Sequence, residues 1–132
     1  MPSQRLGSPD EAIDRWNRVF TALSSEPRRQ LITSLNDASP GRWVRLPEAA
    51  DSPTDPMDLE TLRLWLYHVH LPLLAEHGYV EWSDDHLAAR RGTNFDEVAV
   101  VFDALYEKAH EIPDELVLGC QRLERERTEN RR

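Results

Sequence analysis

The strongest constraint in this chain is a helical pattern over residues 58–77 that is apolar on two sides. Leu59, Leu62, Leu66, Val69 and Leu73 fall on one side of such a helix, and Leu64, Tyr67, Leu71 and Leu74 fall nearly opposite. A helix that is apolar most of the way round is buried on more than one face, so it belongs at the centre of a fold. Pro72 lacks a backbone N–H and crowds the turn before it, which predicts a kink or a division into two helices. Gly78 is a C-terminal stop. Tyr79, Val80, Glu81 and Trp82 then alternate as a strand. Asp84 and Asp85 read as a turn, and residues 86–90 return as the partner strand of a hairpin.

The elements on either side give this helix its neighbours. Ser8, Pro9, Asp10 and Glu11 have the chemistry of a helix start, with Ser8 and Glu11 at capping-box spacing. Ile13, Trp16, Val19, Phe20 and Leu23 follow as one apolar stripe, so a helix is expected over 9–23. A second helix opens at Glu26, Pro27, Arg28 and Arg29 and buries Leu31, Ile32 and Leu35. Residues 36–41 read as a loop, 42–45 as a short strand, 46–51 as a short helix and 52–56 as a loop with two prolines. After the hairpin, Thr93 or Asn94 caps a helix with the stripe Phe95, Val98, Val101, Phe102, Leu105 and Tyr106. Pro113 interrupts. A last helix carries Leu116, Val117, Cys120 and Leu123, and the polar tail 124–132 is expected to fray. Helix, helix, short helix, long helix and hairpin, in that order, is the layout of a winged helix-turn-helix. The expected fold is mainly α with a small β-hairpin, the long helix being the recognition helix and the hairpin the wing. One domain over 1–132 is expected, with the winged-helix core at 9–93 and the helices of 94–127 as a dimerisation element.

Composition narrows the function. A hydrophobic fraction of 39% with 30% charged residues suits a folded domain rather than a disordered chain. No apolar run is long enough to cross a bilayer, and residues 1–7 lack the apolar core of a signal peptide, so a cytoplasmic protein without membrane contact is expected. Cys120 is the only cysteine, which excludes an internal disulfide and a cysteine-based zinc cluster. The net charge of -8 disfavours nucleic acid at ordinary ionic strength. Lys108, however, is the only lysine; an acidic chain with arginine as nearly its sole cation fits a halophile's cytoplasm. In molar salt, charges are screened within about 3 Å, and local geometry decides what binds.

The run Leu66-Tyr67-His68-Val69-His70-Leu71-Pro72-Leu73-Leu74, with Gly78 and Val80 after it, resembles the hallmark of a winged helix-turn-helix family common in halophilic archaea. That family reads roughly Leu-Tyr-x-x-His-Leu-Pro-Lys-Met/Leu, three residues, Gly and Val. Upstream, Leu23-Ser24-Ser25-Glu26-Pro27-Arg28-Arg29 resembles the family's Leu-x-Asn-Glu-Arg-Arg-Arg. Downstream, Arg91-Gly92-Thr93 resembles its Arg-Gly-Thr after the hairpin. The stretch from His70 to Val80 is also similar to the ArsR-type repressor pattern. The resemblance covers residues 22–93 and implies a winged-helix fold and a transcriptional role. Two departures remove positive charge: Leu73 stands where the family has a basic residue, and Pro27 where it often has arginine.

A DNA-reading face needs polar or basic side chains near the start of the recognition helix and basic residues on the wing. Thr61, Arg63 and His68 are the candidates on the long helix and Arg90 and Arg91 on the wing. Arg28 and Arg29, at a helix N-terminus, are placed to meet phosphate. The expected partners are double-stranded DNA and a second copy of the chain. His68, His70 and His77 do not have the three- or four-residue spacing of metal ligands on a helix, and His70 reads as a packing or capping residue. No glycine-rich phosphate loop and no Gly-x-Ser-x-Gly motif occurs, so neither a cofactor nor catalysis is expected. The competing function is a protein-interaction module of the same fold, with Trp65, Val69 and Leu73 covered by a protein instead of DNA.

Overall fold

The computed structural model describes residues 8–130. Helix α1 (Pro9–Ala22) begins as the sequence dictates, with the Ser8 hydroxyl accepting from the Glu11 N–H at 3.2 Å. Helix α2 (Glu26–Asp37) follows after a three-residue break. Strand β1 (Val44–Arg45) leads to a single 3-10 turn (Glu48–Ala50), which lies within the short helix expected over 46–51. The long helix runs through α3 (Leu59–Trp65), a π-turn (Leu66–His70) and α4 (Leu71–Glu76). Strands β2 (Val80–Ser83) and β3 (Ala88–Arg91) form the hairpin. Helices α5 (Phe95–Glu107), α6 (Asp114–Leu118) and α7 (Gln121–Asn130) complete the chain. The antiparallel sheet has the order β1-β3-β2, with Val44 opposite Ala89 and Glu81 opposite Arg90. The architecture is a winged helix-turn-helix, mainly α with a small sheet.

The π-turn explains why the long helix looks apolar on two sides. The Leu71 N–H bonds Leu66 O, one residue further back than in an α-helix. The extra residue advances the face by roughly 100°. Up to the first residue of the turn the core receives Leu62 and Leu66; after the turn, Leu71 and Leu74. Those pairs belong to the two opposite stripes, so each stripe serves half of the helix. The same widening accommodates Pro72, and the helix neither divides nor stops there. The price of the swap is exposure: Leu64, Trp65, Tyr67 and Val69 are left at the surface.

One core serves the whole described chain. Leu31, Ile32 and Leu35 of α2 and Leu62, Leu66, Leu71 and Leu74 of the long helix share it with Phe95, Val98 and Phe102 of α5 and Cys120 and Leu123 beyond. The C-terminal helices are therefore part of the winged-helix core rather than an appendage to it. Polar ties reinforce this. Arg122 of α7, stacked between Phe102 and Tyr106, bonds Asp103, which also accepts from Asn36 of α2. The tail expected to fray is helical through Asn130; Arg127, inside it, bonds Ile112 O and pairs with Asp114. Residues 1–7 and 131–132 lie outside the described residues, including the segment assessed above for a signal peptide. No described helix is long and apolar enough to cross a membrane.

Two glycines fix the wing. Gly78 ends the long helix at φ +77, a left-handed conformation. A Cβ on Gly92 would lie 2.4 Å from Gly78 O, so only glycine permits the hairpin to close on the end of the helix.

Candidate nucleic-acid interface

Arginine chemistry sorts the expected contact residues into two groups. Arg28 is buried. Its guanidinium donates to Ala22 O (3.2 Å), Thr21 O (2.9 Å) and Ser24 Oγ (2.9 Å), which ties down the end of α1. Its Nη1 lies 2.8 Å from His70 Nδ1. Arginine only donates, so Nδ1 accepts and the imidazole is neutral with its proton on Nε2. Burial and the nearby Arg28 charge hold His70 down at about 4, well below an ordinary histidine. Arg28 thus anchors the π-turn of the long helix onto α2. Arg29 donates to Glu26 Oε1, Leu23 O and Gly119 O. Glu26 in turn accepts from Ser52 Oγ (2.6 Å) and from the Gln121 N–H (3.0 Å) at the start of α7. Neither arginine is placed to meet phosphate. The Glu-x-Arg-Arg segment at 26–29 is a buried strut joining α1, α2, the long helix and α7.

Arg91 also turns inward. It donates to Leu35 O, Asn36 O and Ala38 O at the C-terminal end of α2 and stacks over Phe95 at 5.1 Å. The last turn of a helix has carbonyls without intrahelical partners, and Arg91 satisfies them. Its neighbour Arg90 stays at the surface. There it pairs with Glu81 across the hairpin at 2.8 Å and lies 4.7 Å over the Trp43 ring. Thr61 is exposed but its N–H and hydroxyl both turn to Asp58, the cap of α3. His68 is exposed and meets Tyr67 edge to face. The seven residues expected to read DNA therefore do not form one patch: Arg28, Arg29 and Arg91 hold the fold, while Thr61, Arg63, His68 and Arg90 remain on the outside.

What converges instead is a groove of about 520 Å³ between the start of the long helix and the sheet. Arg63 enters it from α3, Trp43, Val44 and Arg45 from β1 and the loop before it, and His86 and Ala88 from the wing; Glu48 is its one acidic wall residue. Nearly every described cation is bonded to an acid or a carbonyl. Among the described residues, the exceptions, whose side chains make no hydrogen bond or ion pair, are Arg18 on α1, and Arg42, Arg45 and Arg63. Arg45 and Arg63 line the groove and Arg42 directly precedes Trp43 in the chain. Reading the wing alone missed Arg42 and Arg45; the signal available was that Arg42 and Arg45 bracket an aromatic residue in a predicted strand beside the helix. Acidic Asp84 and Asp85 occupy the wing tip, and Asp58 and Glu60 the start of α3. No three histidine, cysteine or carboxylate groups among the described residues come together as a metal site.

No protein-family model, no curated protein and no solved structure matches this chain.

Proposed function

We propose that the chain is a DNA-binding transcriptional regulator that approaches duplex DNA through the groove between the long helix and the sheet, rather than through the wing tip. The observation that carries this reading is the placement of unpaired cations. In a chain with 24 acidic and 16 basic residues, an arginine finds a carboxylate easily. Arg45 and Arg63 have none and both line one groove; Arg42, also without one, directly precedes its wall residue Trp43, and the remaining unpaired arginine, Arg18, lies apart on α1. Leaving arginine unpaired beside an open, polar groove suits an anionic backbone that arrives from outside. Leu64, Tyr67 and His68 on the exposed side of the helix then meet base edges; an apolar contact to the thymine methyl is a normal part of such readout.

Binding of the protein to genomic DNA fragments across a potassium chloride series tests this. Each phosphate contact contributes about 0.9 to the slope of log affinity against log salt. The Arg45→Ala/Arg63→Ala double variant should lower that slope by about 2 while the protein stays folded. A slope unchanged in this variant, or no binding by the wild type at any salt, refutes the reading.

A second reading has its own support. Leu64 and Trp65 are 59% and 50% exposed on the long helix, large apolar side chains at the place where a DNA reader would carry polar ones. If DNA binding is absent, this face is a protein-docking surface in the same fold.

A further inference from the structure

The groove between the long helix and the sheet has a tryptophan in its wall. Trp43 is 43% exposed there, beside Arg45 and Arg63. Phosphate does not account for an indole, which offers one N–H donor and otherwise an aromatic face. The fold nevertheless holds this ring in place. Val44 stands opposite Ala89, so Trp43, one residue earlier, comes beside Arg90. The Arg90 guanidinium lies 4.7 Å over the ring. It is itself fixed across the hairpin, with Nε and Nη2 both 2.8 Å from Glu81 Oε1. Arg90 is not in the groove wall, so the ring face that it leaves uncovered is the one available to the groove.

We propose that the groove takes one unpaired nucleotide, with its base stacked on the open face of Trp43 and its phosphates on Arg45 and Arg63. DNA containing an unpaired base is then bound in preference to a fully paired duplex. The proposal rests on the DNA reading above and names the form of DNA that the site selects. Three observations favour it. First, an aromatic face beside free cations is the combination by which proteins hold single strands: the base stacks and the backbone follows the charge. In a paired duplex both faces of a base are covered by its neighbours, and stacking on Trp43 requires a base that has left the stack. Second, the groove measures about 520 Å³, within the range of about 300–1,000 Å³ for sites that enclose one small ligand. Third, Asp84 and Asp85 occupy the wing tip, where they repel a continuous duplex backbone running past the groove. Arg90 and Glu81 are positioning residues in this arrangement: they hold the indole and do not touch the nucleotide.

Fluorescence anisotropy at one salt concentration tests the proposal with three probes: a mixed-sequence duplex, the same duplex carrying a short bulge of unpaired thymines, and oligothymidine. Stacking of one base on an aromatic ring raises affinity by about five- to 150-fold, and the bulged duplex should exceed the intact one by a factor in that range. Trp43→Leu should abolish the preference and leave the intact duplex bound within about twofold of the wild type, while Trp43→Phe, which keeps an aromatic face, should retain most of it. Arg90→Ala should reduce the preference and Arg90→Lys restore it; a phosphate contact at Arg90 would instead weaken both duplexes alike. Circular dichroism confirms that each variant is folded. Equal affinity for the two duplexes, or a Trp43→Leu protein that weakens both equally, overturns the proposal and leaves the DNA reading standing. Thymidine monophosphate that binds as tightly as the bulged duplex assigns the groove to a free nucleotide and also overturns it. Binding of oligothymidine and the bulged duplex without the intact one supports the proposal and refutes the approach to paired DNA. Binding of none of the three probes refutes both.

Discussion

Replacing Arg91 by alanine separates structural arginines from functional ones most sharply. By sequence, Arg91 sits on a wing beside Arg90 and looks like a phosphate contact. In the fold, its guanidinium gives three hydrogen bonds to the terminal carbonyls of α2, at 3.0, 3.2 and 2.9 Å, and covers Phe95. Hydrogen bonds from a charged donor are worth about 1.5–3 kcal/mol each, but they are not additive here, because the half-buried carbonyls recover water when the side chain is gone. The set is worth about 2–3 kcal/mol, and the stacking adds about 0.5–1 kcal/mol. Arg91→Ala should therefore cost about 3 kcal/mol and lower Tm by about 10 °C in a domain of this size. Thermal unfolding followed by circular dichroism measures it. Arg63→Ala, by contrast, should stay within about 0.5 kcal/mol of the wild type, since nothing in the fold holds that side chain. An Arg91→Ala protein with unaltered Tm and lost DNA affinity would refute the assignment of Arg91 to the fold.

Three other outcomes follow from the packing. His70 is held at about 4 against 6.5 in the unfolded chain, so acidification from 6.5 towards 4 protonates the unfolded state first and removes up to about 3 kcal/mol of stability. The effect is absent above pH 7. His70→Asn, which keeps an acceptor for Arg28, should lose less stability than the wild type between pH 7 and 5 in chemical denaturation. Gly92→Ala should be more damaging than Gly78→Ala. The first drives a Cβ to within 2.4 Å of backbone, the second mainly displaces the Asn94 amide at a cost of about 1–2 kcal/mol; urea midpoints rank them. Leu66→Ala, at a fully buried position in the π-turn, should cost about 2–5 kcal/mol by the same measurement.

Element order was legible because local signals were strong and agreed with one another. Ser8 and Pro9 start α1, Gly78 stops the long helix, and alternation over 79–83 with Asp84 and Asp85 after it makes the hairpin. Leu87 was less legible: a buried leucine at φ +43 in the wing turn obeys no turn preference and is held by its place in the core. The π-turn was invisible for a related reason. Periodicity assumes a constant advance per residue, so a register shift shows up only as a helix that seems apolar on two sides.

The candidate site was read least well, and the reason is general to arginine. Sequence alone determined that cations cluster at 28–29, 42–45, 63 and 90–91, and that an apolar helix and a hairpin stand beside them. It did not determine where each guanidinium points. An arginine side chain reaches several ångströms from its Cα, and on this scale the last carbonyls of α1 and α2, the His70 ring and the Glu26 carboxylate compete with solvent for it. Only the tertiary structure brings those acceptors within reach of Arg28, Arg29 and Arg91, and only it leaves Arg42, Arg45 and Arg63 without any. The pattern of apolar residues fixed which elements form; the distribution of hydrogen-bond acceptors, set by residues far apart in the chain, decided which charges remain free to bind.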